Sequence, residues 1–346
     1  MTDAPVKLGL TGFGWFAELL AERVFPFVPE IRIVGVCDQS PRRRARAAEL
    51  LGVPVFEDMD ALLKGSDCEA VSILTPHNTH RSLVEAAAGS GRHIFSEKAM
   101  AVTVADCVSM IRAAQAANVV LMVGHMQKLF PPYARVIEIV RSGIYGKPLA
   151  VNVFGFHWCP VFEGWWRKKE ACGGLLYWTG IHDLDTMRAI VGLEVEEVFA
   201  WAGSKTDPYT EYEDSIAVTL KYEGGAIGTL QVAEHDPLRE FNDSFALSIL
   251  CERGSIRYLP ENPTVEHRSR DGHDVGELHR EVFPKHEDNE NAAYRWEFAH
   301  FARVVRGKES SVLTATDGLR CIETLQAIYQ SLSAGTPTKV SRSCVE

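Results

Sequence analysis

Between Val6 and Val123, short β-branched runs alternate with amphipathic segments of helical length, and few folds accommodate that alternation. Residues 6–10, 31–37, 70–74, 93–96 and 119–123 read as strands, and 15–24, 42–51, 81–88 and 106–117 as helices. Strands spaced by helices in this way imply right-handed β-α-β crossovers and a doubly wound parallel sheet of the Rossmann type. After Gly124 the rhythm changes. PPYARVIEIV reads as one helix, and LAVNVFGFHW, SIAVTLKYEGGAIGTLQVAE and SFALSILCERGSIRYL read as longer strands joined by the turns EGG and ERG. Hairpin-linked strands imply a mostly antiparallel sheet. The expected fold class is α/β over 1–123, followed by an open-sheet α+β domain over 124–346.

A chain of 346 residues has room for two domains and a large core. Apolar residues make up 46% and charged residues 24%, the usage of an ordinary globular protein. With a net charge of -10 and only one dense basic run, RRRAR at 42–46, no nucleic-acid partner is expected. No apolar run approaches the ~20 residues that cross a bilayer. The start, MTDAPVKLGLTG, passes from an acid straight into a strand, so neither membrane association nor export is expected and the chain reads as cytoplasmic. The eight cysteines include no C-x-x-C pair and no zinc-type spacing with histidine, so most of them read as buried and reduced and no metal is expected. His267, His273, His279 and His286 fall in the polar stretch 262–290, where irregular spacing favours a surface loop or edge hairpin over a metal site. Helical pattern resumes at 292–306 and 316–332.

The turn after the first strand is GFGWFA, with Gly12, Phe13, Gly14, Trp15, Phe16 and, in the third small position, Ala17. It follows a strand, opens a helix, and precedes a second strand that ends in Asp38, the context in which such glycines cradle a dinucleotide. Gly12 permits the turn, Gly14 lets backbone N–H groups approach a pyrophosphate, and the helix amino end favours the phosphate charge. Asp38 would accept from ribose hydroxyls and repel a 2'-phosphate. This favours NAD, while Arg42 and Arg43 keep NADP open. Thr75, Pro76, His77, Asn78 and His80 follow the third long strand, where ligands gather in an open parallel sheet.

In LYWTGIHDLD, residues 176–185, Ile181, Leu184 and Met187 recur at core spacing. His182 and Asp185, three apart, share a different face. Histidine is the side chain whose ordinary pKa suits a base near neutral pH. Trp158, Trp165, Trp166 and Trp178 fall within 21 residues. Their indoles suit either the C–H face of a sugar ring or packing of sheet on helix.

Together GFGWFA, Asp38, TPHNTH, HIFSEKAM at 93–100, the GG and H-x-x-D stretch, EFAHFARVVRG and YQSLSAG resemble the Gfo/Idh/MocA family of glucose-fructose oxidoreductases and inositol dehydrogenases over nearly the whole chain. The resemblance implies a nicotinamide-dependent oxidoreductase acting on a secondary hydroxyl or ketone of a sugar, glycoside or cyclitol, with a second domain for substrate binding and oligomerisation. It implies that Lys98 lies beside the nicotinamide and bonds the substrate hydroxyl, that Glu97 supports the neighbouring backbone and cofactor, that His182 is the base, and that Asp185 orients or binds. It makes Arg167 a contact for substrate oxygens and implies a homodimer or homotetramer; His157 on the same strand end, His125 at the start of the second domain, and Trp166 and Trp178 by their indole faces are further candidates for the substrate lining. Two positions depart from the family pattern: Ala99 replaces the proline of Glu-Lys-Pro, and Trp178 replaces the aspartate of D-x-G-x-H. Two other functions stay open: redox-neutral, NAD-dependent cleavage of a glycoside, and ligand sensing without chemistry.

Overall fold

The computed structural model describes residues 4–156, 164–203, 205, 208–234 and 245–345. Its contacts divide the chain into two compact units, 1–126 with 291–322 and 343–346, and 127–290 with 323–342.

In the first unit, β1 (Val6–Thr11), α1 (Trp15–Arg23), β2 (Ile31–Cys37), α2 (Pro41–Leu51), β3 (Val55–Phe56), α3 (Met59–Gly65), β4 (Ala70–Ile73), α4 (His80–Gly89), β5 (His93–Ser96), α5 (Val104–Ala116) and β6 (Leu121–Val123) follow in order. The six strands are all parallel and run β3-β2-β1-β4-β5-β6. Helices cover such a sheet, which is why its central strands are continuous apolar runs: Leu8, Leu10, Val71, Ile73, Ile94 and Phe95 are fully buried. The order reverses between β1 and β4, and the loops that leave those two strands carry GFGWFA and TPHNTH.

The second unit contributes α6 (Pro131–Arg141), β7 (Pro148–Phe156), α7 (Lys169–Cys172), α8 (Ile181–Val191), β8 (Val195–Ala202), β9 (Ser215–Tyr222), β10 (Ile227–Ala233), β11 (Phe245–Cys251), β12 (Gly254–Leu259), β13 (Thr264–Asp271), β14 (Asp274–Val275) and β15 (His279–Val282). Two long helices follow, α9 (His286–Val305) and α10 (Ala315–Ala334), then β16 (Thr338–Lys339). One sheet runs β14-β13-β12-β11-β7-β10-β9-β8-β16, with β15 also on β13. Only β7 and β10 pair in parallel. Burial alternates along β9 and β10, the period of a sheet with one face covered. The polar stretch after residue 262 is an edge hairpin whose His267 is buried and bonded to Tyr145.

Where the sequence reads two consecutive domains, the chain returns to the first unit at 291–322. The reason is packing. Phe298 and Phe301 on α9 are fully buried, Phe298 lying 4.8 Å from the Phe25 ring and 4.6 Å from that of Phe95 on β5. Val123 N–H also donates to Leu313 O at 3.3 Å. Phe298→Ala is therefore expected to destabilise the protein by about 3–5 kcal/mol, checked by denaturant unfolding. A cost near zero would detach α9 from this core.

Candidate active site

The glycine turn is shaped by close approach. Gly12 has φ +88, and a Cβ there would sit 2.7 Å from Leu74 O, so only glycine fits. Gly14 caps α1 with no side-chain hydrogen bond, and nothing lies within 4 Å of where its Cβ would be. Open space thus lies at the amino end of α1, where the first N–H groups have no carbonyl of a preceding helical turn to bond, which fits a pyrophosphate. Asp38 is buried at the end of β2. Its Oδ2 accepts from Phe13 N–H and its Oδ1 from Ser40 N–H, both at 2.8 Å. Phe13 is thus a strut of the turn rather than a donor to the cofactor, because its amide serves Asp38 and its ring is buried. Trp15 and Arg43 are exposed and Phe16 half-buried, with Arg43 Nη1 3.7 Å from Asp38.

Beyond β4, Thr75 and Thr79 hydroxyls lie 2.7 Å apart and Thr79 donates to Pro76 O. Asn78 is exposed and His77 buried. His80 is fully buried, its ring nitrogens facing Thr75 O at 2.8 Å and Met100 O at 3.2 Å, and burial lowers its pKa. It ties the loop after β4 to the segment that carries Lys98.

Lys98 follows β5 and is half-buried; the Lys98–Ala99 peptide bond is cis. Glu97 accepts from Lys98 N–H at 3.2 Å and comes so near Gly124 that a Cβ there would be 3.0 Å from its Oε1. Burial, offset in part by the Lys98 charge and amide, pushes the Glu97 carboxyl up to about 7 from an ordinary 4.5. The unfolded chain releases this proton first, so between those values the folded state binds more protons and loses stability as pH rises. Denaturant titrations from about pH 5 to about pH 8 should show a shallower fall for Glu97→Gln than for the wild type. Equal slopes would contradict a raised pKa.

In the second unit, Gly173 and Gly174 turn at φ +101 and +133. A Cβ on Gly174 would strike the Tyr329 hydroxyl, which itself accepts from Leu176 N–H at 3.3 Å and donates to Glu213 at 2.5 Å. Residues Leu176–Gly180 then form a turn of π-helix that runs into α8. Such turns add a residue to the helical repeat and recur at functional sites. Past it, Ile181, Leu184 and Met187 are fully buried and His182 is half-buried, as the spacing requires.

Asp185 is buried in an ionic cluster, 3.1 Å from Lys128 Nζ and 3.5 Å from Arg188, which also pairs with Glu194. Asp183, which the H-x-x-D spacing passes over, is also buried. Gln127 Nε2 donates to it at 2.9 Å, and burial raises its pKa well above the carboxylate range. Gln127 and Lys128 thus hold α8 at two points. In the sequence, Asp183 carries no signal beyond standing next to His182.

Trp178 stacks on Trp166 at 5.8 Å and 20°, and Trp165 meets Trp178 edge-on at 5.9 Å. The Arg167 guanidinium lies 5.3 Å from the Trp166 ring and 5.1 Å from that of Tyr209. His125 is buried just after β6. His157 and Trp158 lie outside the described residues.

Residues 6–125 match the model of an oxidoreductase family's NAD-binding Rossmann fold, and residues 137–340 match that family's C-terminal alpha/beta domain. The chain is 28% identical to a myo-inositol 2-dehydrogenase of Thermotoga maritima over 65% of its length, and 28% identical to a 2,7-anhydro-N-acetylneuraminate hydratase of Escherichia coli over 65%. Those matches span 67% and 61% of the two relatives. An Agrobacterium radiobacter oxidoreductase, solved in complex with NAD+, L-tartaric acid and magnesium, superposes with TM-score 0.85 at 23% identity, covering 97% of this chain and 98% of that one. No described helix is long and apolar enough to cross a membrane.

Proposed function

The chain belongs to the Gfo/Idh/MocA oxidoreductase family, its first unit carrying the family's NAD-binding Rossmann fold, and on that premise we propose that it moves hydride between nicotinamide and a secondary hydroxyl or ketone of a sugar, glycoside or cyclitol. Nicotinamide, when bound, supplies the hydride acceptor. His182 takes the hydroxyl proton as the carbon gives up hydride, and the Lys98 ammonium steadies the charge developing on oxygen. Gly12, Gly14 and the open amino end of α1 hold the pyrophosphate; Asp38 holds the ribose and selects NAD over NADP. Asp185, fixed by Lys128 and Arg188, sets the orientation of α8 and with it His182.

The observation that most supports this reading is His182, half-buried two residues past a π-turn braced by Tyr329, on a helix whose Ile181, Leu184 and Met187 are fully buried. The experiment is a nicotinamide-absorbance screen with NAD and NADP against sugars, inositols and glycosides. Reduction of NAD by at least one polyol is expected; silence across the panel, with NAD binding intact, would overturn the reading. The likeness to a hydratase supports a second, redox-neutral reading in which the cofactor is restored in each cycle. Substrate conversion without net absorbance change would select it.

The same reading includes self-association. Phe154, Trp201, Ile227 and Leu250 share the exposed face of the sheet, since the register aligns Trp201 with Ala217, Gln231 and Phe154, and Ile227 with Ala150 and Leu250. A monomer rarely leaves such a face bare.

A further inference from the structure

Buried Arg188 has Asp185 and Glu194 beside it, and half-buried Arg135 has Glu281. Arg167 differs. Its guanidinium lies close to the rings of both Trp166 and Tyr209, and its Nε and Nη2 are covered without a hydrogen-bond partner among the described residues. Glu211 is the acid attached to this turn, its N–H donating to Arg167 O at 2.9 Å. Its carboxylate is spent elsewhere, on Lys168 Nζ at 2.7 Å and Lys169 N–H at 3.1 Å.

A charge lifted partly out of water is retained where something compensates it. Two aromatic faces compensate only in part, but they hold the guanidinium plane rigid. The Nε/Nη2 edge of a fixed guanidinium is one of the forks that grips a carboxylate or phosphate through two parallel hydrogen bonds. Arg167 also stands in the same aromatic column as the proposed base: it stacks on Trp166, Trp166 on Trp178, and Trp178 sits four residues before His182.

We propose that the substrate is anionic, a sugar or cyclitol bearing a carboxylate or phosphate that Arg167 grips while the reacting hydroxyl faces His182. The proposal rests on the oxidoreductase reading for its reaction but on the Arg167 stack for its charge. An anion entering the fork moves aside the atoms that now cover it and pairs both donors. A neutral polyol leaves the guanidinium uncompensated, so the site uses it less well, by charge rather than shape.

The test uses the full chain with NAD and hexoses of gluco, galacto and manno configuration, each beside its uronate and its 6-phosphate. One anionic form should exceed its neutral parent in kcat/KM by about 10–100-fold, the worth of hydrogen bonds to a charged group. Arg167→Gln should collapse that ratio toward one through KM, and Arg167→Lys should restore part of it. A uronate optimum assigns the fork to carboxylate, and a 6-phosphate optimum assigns it to phosphate. Thermal shift by the same compounds separates the two readings. Stabilisation by an anion that Arg167→Gln abolishes, without turnover, keeps the anion site and removes the oxidoreductase assignment. A neutral hexose used as well as its anions, an anion preference unchanged in Arg167→Gln, or neither turnover nor stabilisation by any anion would overturn the proposal.

Discussion

Replacing His182 by alanine is expected to lower kcat by about 100-fold or more, while NAD binding, followed by nicotinamide fluorescence on titration, holds near the wild-type value. The magnitude follows from what a positioned acid-base group contributes, about 10²–10⁴-fold, or roughly 3 kcal/mol of barrier at the lower end. The burial pattern supports a specific loss. His182 is half-buried while its helical neighbours Ile181 and Leu184 are fully buried, so truncation empties a position at the edge of the core. Lys98→Ala is expected to cost as much. Its half-buried ammonium stands beside Glu97, whose carboxyl is protonated below about 7, so the lysine charge is least neutralised on the acidic side of that value. A rate within a few-fold of wild type in either variant would remove that residue from the chemistry.

The second large effect is expected at the glycine turn, where two glycines separate folding from binding. Gly12→Ala forces an L side chain to φ +88 and presses its Cβ to 2.7 Å from the Leu74 carbonyl, a backbone atom with little freedom to yield. Strained backbone and overlap together should cost about 2–4 kcal/mol of stability and weaken NAD binding more than about tenfold. Gly14→Ala has φ -84 and open space for the new methyl, so its stability should change by less than about 0.5 kcal/mol. The same methyl enters the space assigned to the pyrophosphate, so NAD binding should still fall. Both variants binding NAD normally would remove the turn from the cofactor site.

The parallel sheet is legible because β1, β4 and β5 are almost wholly buried and their sequences are mostly apolar. Val55–Phe56 was not, since two residues are too few to display a period. The spacing of α9 signals a buried side, but no periodicity says which core receives it; Phe298 and Phe301 turn out to face Phe25 and Phe95. At the site, Gly12, Gly14 and Asp38 could be read because backbone geometry demands those residue types at that spacing. The π-turn could not, because an added residue in the helical repeat leaves no compositional trace in LYWTG. His80 looked like a ligand because it follows TPHNT; only its contacts with two main-chain carbonyls make it a strut. The resemblance offers Arg167 as a substrate contact, whereas the lack of an acidic partner for it among the described residues is visible only in the fold.

We propose that Lys98 and His182 serve one chemical step. Single-turnover hydride transfer, measured on the best substrate for wild type, Lys98→Ala, His182→Ala and the double variant, tests this most directly. Groups that act as a unit are non-additive, so the double variant should be about as slow as the slower single. Two losses that multiply in full would instead assign the residues to separate steps and contradict the account.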